Sequence, residues 1–518
     1  MNRKIWKALG IAVCMLALAA PRAMAELREY LVSNNEHFAD AVGRINNESN
    51  IGDENEIVLM HDITLEGNYI LTNGKTTTIK GEGKTITVNS GAGIKVTGEK
   101  TTLNLGAEGY AEKLTIDGNA KGAFITVSGG ATAHMYENVT LKNRQQVDQA
   151  CVVLEENSVF NMHGGVIQNC KGKYGGVSLK NGSRFIMEGG TISECEANAG
   201  GGLYANNSTV TITGGTISRC NVGAGGGLFA TNSSEITIRG GTISECSTTL
   251  DTGKGGGLYA ENSTITITGG TIKDNEAAHG GGVALTDSTV TDEQPIRNWM
   301  VVGNKAYKTG GGIWLGEKVE WDISDRTKQI YNNQAIEQGA DIFLEGSTSA
   351  IKLPNAANMG AKYHDSGINI DNWYNDNPRY TPSENGQVVE ANKLLNGGLS
   401  LVASYKADPV RIEIDANGGV GGSSSQTVQK GTNVTLEAPT KEGHLFKGWK
   451  DEKGNSYPAG EDGKVSITVT GDMTLTAEWK KLPSAENLPK TGDESPVLLW
   501  GAALAVSAAA CFMLRRRK

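Results

Sequence analysis

Gly200-Gly201-Gly202-Leu203-Tyr204-Ala205, Thr209-Val210-Thr211-Ile212-Thr213 and Gly214-Gly215-Thr216-Ile217-Ser218 are three phrases of one unit, Gly200 to Ala224, and the unit recurs along the chain. The Gly triplet returns at 225–227, 255–257, 280–282 and 310–312, with Tyr174-Gly175-Gly176 and Gly339-Ala340-Asp341 as worn copies. The second phrase is Gly-Gly-Val-Ile from Gly164, then Gly-Gly-Thr-Ile from Gly189, Gly214, Gly240 and Gly269, at spacings of 25, 25, 26 and 29 residues. Such a period marks a solenoid. Period-two alternation turns Val210 and Ile212 to one side and Thr209, Thr211 and Thr213 to the other, and Ile236/Ile238 and Ile265/Ile267 repeat it. Three short strands per turn, each with one buried face, predict a right-handed parallel β-helix whose coils pair at about 4.8 Å. Glycine pairs supply the corners. A leucine-rich horseshoe would need a Leu-x-x-Leu-x-Leu spine, which is absent.

Cys170, Cys195, Cys220 and Cys246 fall at one slot of the period, and Asn275, Asn304 and Asn333 continue it. A slot shared by Cys and Asn predicts a corner ladder of buried, unbridged thiols. A straight file of thiolates does not supply tetrahedral coordination, so neither a metal nor a cofactor is expected. Upstream, Phe38, Ala41, Val42 and Ile45 stand at helical spacing after Asn34 and Asn35, predicting a capping helix within residues 26–50. Irregular coils follow, with Thr85-Ile86-Thr87-Val88, Leu114-Thr115-Ile116 and Ile125-Thr126-Val127 as strands. Over residues 51–405 the chain resembles pectate-lyase-like β-helix proteins and repeat-bearing bacterial adhesins. That architecture hosts both enzymes and binders.

The register changes at Val410. Gly431-Thr432, Pro439-Thr440, Gly443, Phe446-Lys447-Gly448-Trp449, Thr474-Leu475 and Trp479 resemble the Listeria–Bacteroides repeat, the B-repeat of internalins, over residues 410–480. The resemblance implies a small β-grasp-like module, used as a spacer or weak binder on cell surfaces. Phe446, Trp449 and Trp479 are expected in its core, since so small a domain needs its aromatics inside, with Trp449 the module's candidate ligand contact.

Both ends read as sorting signals. Residues 1–25 combine Arg3, Lys4 and Lys7 with the apolar run Ala8 to Ala20 and small residues at Ala23 and Ala25, a secretory signal cut before Glu26. After a polar linker, 481–487, come Leu488-Pro489-Lys490-Thr491-Gly492, an apolar stretch at 497–514 about one bilayer long, and Arg515 to Lys518. These three parts resemble the LPxTG cell-wall sorting signal. The resemblance implies that a membrane sortase cuts between Thr491 and Gly492 and passes the chain to a peptidoglycan precursor. The expected location is therefore the cell wall, with the precursor held only transiently in the plasma membrane. The signal carries four basic residues and the tail beyond Thr491 four basic against two acidic, so losing both takes the net charge from −9 to −15. Nucleic acid is an unsuitable partner for such a chain. Seven cysteines become five without Cys14 and Cys511, an odd number unlike a disulfide framework.

Catalytic residues are harder to find. The outward file His163, Glu188, Thr213, Arg239, Thr268, beside Asn161, Ile186, Thr211, Thr237, Thr266, holds a single Glu, so the carboxylate pair of a glycosidase is missing. His279 shares its slot with Lys173, Ala199, Ala224, Lys254 and Thr309, which makes it a turn residue. No catalytic residue is therefore assigned. Asp371, Trp373, Tyr374, Asp376 and Tyr380, within Asp365 to Tyr380, form a candidate sugar platform or calcium loop, weighed against a plain C-terminal cap. The expectation is an adhesin or interaction stalk for host or bacterial glycans or matrix protein. The alternative is a surface carbohydrate-active enzyme, a polysaccharide lyase or glycoside hydrolase.

Overall fold

The computed structural model describes residues 27–47, 54–118, 122–145, 149–248, 251–291, 299–323, 328–353, 368–375, 394–396, 399–407, 409–429, 432–460 and 462–482. They divide into two compact units between Lys406 and Ala407. The first is a right-handed parallel β-helix of about 12 turns. Among the described residues no helix is long and apolar enough to cross a membrane. The signal segment with Ala23 and Ala25, the sorting residues Leu488, Pro489, Lys490, Thr491 and Gly492, and the apolar stretch 497–514 lie outside the described residues.

The coil read from the sequence is the coil that forms, with one addition. Leu203–Asn206 lies in a 13-stranded sheet, while Thr209–Ile212 and Thr216–Ser218 both join a 20-stranded one. A fourth strand of two residues, Asn221–Val222, belongs to a seven-stranded sheet that the three-strand expectation missed. Thr209–Ile212 pairs in parallel with Arg184–Met187 before it and Glu235–Ile238 after it, in the expected register. Val210 and Ile212 are 0 and 2 % exposed, whereas Thr209 and Thr211 are half-buried on the outer side. The corners explain the glycines. A Cβ on Gly202 would lie 2.6 Å from the Gly227 carbonyl oxygen of the next coil and 2.6 Å from Ile217, so only a bare Cα fits there.

One corner shows the ladder chemistry. Asn169, Glu194, Arg219, Glu245, Asp274 and Asn332 all have positive φ, from 51° to 55°, and the residue after each is Cys170, Cys195, Cys220, Cys246, Asn275 or Asn333. The left-handed turn throws that next side chain into the interior. The thiols are buried and unbridged and donate to the carbonyl two residues back, as Cys195 does to Ser193 at 3.2 Å. Burial, the largest cause, pushes the Cys170 and Cys246 thiols well up. From Cys246 onward amides take over. Its backbone N–H donates to Asn275 Oδ1 at 2.9 Å. Asn275 gives its backbone N–H and its Nδ2 to Asn304 Oδ1 at 3.0 and 2.9 Å, and Asn304 gives both to Asn333 at 2.9 Å. Asn333 ends the chain on the buried carboxylate of Asp341, at 3.0 and 2.8 Å.

The ends are closed differently from the expectation. The helix Asn35–Asn47 buries Phe38, Ala41, Val42 and Ile45, the four positions expected, and Asn34 caps it by accepting from the His37 N–H at 2.9 Å. A strand precedes it, however. Arg28–Val32 pairs in parallel with Glu54–Leu59, so the stack begins before residue 51. At the far end Leu399–Ala407 and Leu394–Asn396 run antiparallel to Ile342–Leu344 and Ala350–Lys352. The parallel stack therefore stops at the coil of residues 342–352, and a chain reversal closes its edge.

The second unit is a five-stranded mixed sheet in the order Gln426–Gln429, Pro409–Asp415, Met473–Lys481, His444–Asp451, Ser456–Pro458, with an antiparallel pair of Asn433–Leu436 and Val465–Thr468. Its first and last long strands pair in parallel, as a grasp-like layout implies, but among its described residues no helix packs on the sheet. Ile412, Leu436, Trp449 and Leu475 form its core.

Candidate functional site

Two outer faces of the stack carry side chains with chemistry. On the 13-stranded sheet, Leu203 and Ala205 point inward, so Tyr204 points out, and its slot continues through Phe229, Tyr259, Ala284, Trp314 and Phe343. Left-handed glycines fold each preceding corner back onto this slot. A Cβ on Gly225 would meet Phe229 Cβ at 2.6 Å, and one on Gly310 would meet Trp314 Cβ at 2.9 Å. The aromatics thus lie in a re-entrant corner and stack along the coil axis. Tyr174 stacks on Tyr204 with centroids 4.0 Å apart, and Phe229 on Tyr259 at 4.9 Å. Packing along the file, with Ala284 between two of the rings, leaves Tyr204, Tyr259 and Trp314 only 8, 6 and 3 % exposed, with Tyr174, Phe229 and Phe343 half-buried. Lysines lie over them. Lys173 and Lys180 Nζ stand 5.5 Å from the Tyr174 ring, and Lys254 Nζ stands 4.4 Å from Trp314. Burial, then Glu261 and Asp287, pushes the Tyr259 hydroxyl up to about 12, which keeps it a neutral donor.

On the 20-stranded sheet the file of His163 and Glu188 stands as expected, and the structure adds His134 and Tyr136. His163 Nδ1 meets Glu188 Oε2 at 2.6 Å, and its Nε2 meets His134 Nδ1 at 2.9 Å. The two imidazoles are 5.2 Å apart and 4° from parallel, the geometry of rings meeting edge to edge in one plane. An N–H therefore points straight at a lone pair. Imidazoles sharing a tetrahedral metal would converge at an angle instead, and among the described residues no group of three or more ligands could hold a metal ion. Tyr136 stacks on His163 at 4.9 Å. Burial, then the His163 charge, pulls the His134 imidazole down from its usual range. The diagonal between neighbouring coils that joins His134 to His163 is a contact that comparing like slots does not test.

The remaining sequence candidates fare differently. His279 is not a turn residue: it ends the strand Glu276–His279 and pairs between Lys254 and Thr309, its Nδ1 2.8 Å from Thr309 Oγ1. Trp373 is 1 % exposed and Trp449 0 %, so neither ring is offered to a ligand: the end of the solenoid packs the first and the module core the second. Phe446 and Trp479 pack partly buried against that core. Tyr374 is half-buried, and Tyr380 lies outside the described residues. The aromatic file had a signal that went unread, a ring two residues past the Gly triplet in Tyr204, Phe229, Tyr259 and Trp314.

Comparison with known families agrees with both units. A family model described as a right handed beta helix region matches residues 150–335, and one described as a divergent InlB B-repeat domain matches residues 409–483. No curated protein and no solved structure matches the chain.

Proposed function

We propose that this chain is a secreted surface protein, joined covalently to the cell wall by a sortase, whose β-helix serves as an adhesin or interaction stalk for glycan or protein ligands. The observation that carries a binding role is the part of the aromatic and lysine file that reaches the surface, the half-buried rings of Tyr174, Phe229 and Phe343 with Lys173, Lys180 and Lys254 beside the file. A file that recurs on successive coils and is broken at Ala284 suits an elongated partner that repeats as well. The matches to a β-helix region and to an InlB B-repeat support a surface role.

Leu488 to Lys518 supply the anchoring chemistry. A sortase thiolate attacks the Thr491 carbonyl, the bond to Gly492 breaks, and a peptidoglycan-precursor amine displaces the thiol to form the wall amide. Pro489 pre-sets the bend that presents Leu488 and Thr491. Cell fractionation tests the reading. The protein is expected in wall fragments freed by a muralytic enzyme, and in the medium once residues 497–518 are deleted. A chain found only in membranes, with Gly492 onward still attached, would overturn it.

A further inference from the structure

We propose that Asn104, His134 and Asn161, beside Tyr136, form a subsite for the hydroxyls of a neutral saccharide, and that the chain Glu188–His163–His134 makes its occupancy acid-sensitive. The inference rests on the adhesin reading and names one ligand class and its control. An ionised carboxylate only accepts, so His163 carries its proton on Nδ1 toward Glu188 Oε2. Neutral His163 then accepts at Nε2, and His134 donates from Nδ1. The lone pair of neutral His134 is left on Nε2. Through two hydrogen bonds Glu188 thus fixes one acceptor, two coils away, on the outer face.

The neighbours of that acceptor suit a hydroxyl-rich ligand. Asn104 and Asn161 pair in register with His134 on either side, one coil or about 4.8 Å away, and each amide both donates and accepts. Asn104 uses one donor on Thr78 Oγ1 at 3.1 Å and keeps its carbonyl. The charged and titratable groups around His134 are His163 and Glu188 on the next coils, Tyr136 on its own strand, Glu108 and Glu137 beside Tyr136, and Arg184 at the far end of the Glu188 strand. Carboxylates predominate among them, which disfavours an anionic ligand. In acid the pair takes up one proton, and whether the bridging hydrogen stays on His134 Nδ1 or moves to His163 Nε2, His134 Nε2 carries an N–H. The hydrogen bond between the two rings is made in either arrangement, so the stack keeps its bonds. The outward nitrogen, however, changes from acceptor to donor, and a ligand hydroxyl that donated to it loses its partner.

The test uses the full chain on an array of neutral oligosaccharides at about pH 7.5 and about pH 4.5, either side of the imidazole range. Binding should weaken about tenfold or more in acid. His134→Gln, which accepts without titrating, should bind more weakly than the parent but equally at the two pH values, and His134→Ala should lose binding at both. Nitrogen-resolved spectra of the histidine rings should show both Nδ1 atoms protonated and His134 Nε2 bare at neutral pH, and thermal melts should show both variants folded. Absence of any neutral-glycan binding, or an acid response that survives in His134→Gln, would overturn the proposal. Undiminished attachment of His134→Ala cells to host or bacterial surfaces would sink this subsite and leave the adhesin reading standing.

Discussion

Ile212 and Thr211 are adjacent in sequence and opposite in environment, one 2 % exposed in the core and the other half-buried on the outer face. Ile212→Asp places an unpaired charge inside the stack and should cost about 3–5 kcal/mol. Thr211→Asp should stay within about 0.5 kcal/mol of the parent. Denaturant midpoints of the two decide it, and equal losses would show the register to be wrong. Asn304 relays two hydrogen bonds from Asn275 and gives two to Asn333. Asn304→Ala removes the acceptor of the buried Asn275 N–H, while Asn333 Oδ1 keeps the backbone N–H of residue 304, and should cost about 1–3 kcal/mol. The four file thiols, Cys170, Cys195, Cys220 and Cys246, should resist alkylation in the native protein and all react after denaturation without reductant. A bridge between Cys195 and Cys220 found by mass mapping would contradict this. The lowered His134 pKa carries a sign. Stability from the neutral ring is complete above the unfolded value of about 6.5 and is lost as pH falls through the folded one, so melts of the parent should drop in acid more than those of His134→Gln.

At the scale of the element, legibility followed length and repetition. The four-residue strand Thr209–Ile212 alternates for long enough to set its own face, and its copies in later coils corroborate it. The helix Asn35–Asn47 was visible because four apolar residues kept its period. The strand Asn221–Val222 was not, since two residues cannot show a period, and its coil-to-coil pairing alone reveals it. The reversal at residues 394–407 was equally hidden, because strand direction depends on where the chain turns and not on its pattern of apolar residues. The site divides the same way. The His163–Glu188 file followed from the period, whereas the diagonal contact to His134 required side-chain positions. Gly202→Ala drives a methyl toward Gly227 O and Ile217 and should destabilise by about 1–3 kcal/mol, while Gly43→Ala in the helix, with open space around it, should be neutral or stabilising.

For the whole molecule, the two units differ in how their stability is distributed. Coils of the first contact mainly their neighbours, so local losses should spread along the axis, whereas the small sheet of the second shares one core around Trp449 and should unfold as a unit. Trp449→Ala should cost about 3–5 kcal/mol and abolish the module's separate transition in calorimetry while leaving that of the β-helix in place. If sorting proceeds as proposed, the mature chain freed from wall fragments ends at Thr491 with a peptidoglycan remnant attached. Changing Leu488 or Thr491 should strand the full-length precursor in the membrane.

The asparagine ladder also bears on how such a protein changes its length over generations. Each amide in it needs an acceptor from the following coil, and Asp341 meets that need for the last one. Unequal recombination that duplicates an internal coil, such as the one carrying Asn304, inserts a link whose two sides already match its neighbours. A deletion that removes the coil of Asp341 leaves an amide with nothing to donate to. Copy number is therefore free to drift in the interior of the array, while its C-terminal coil must be inherited intact.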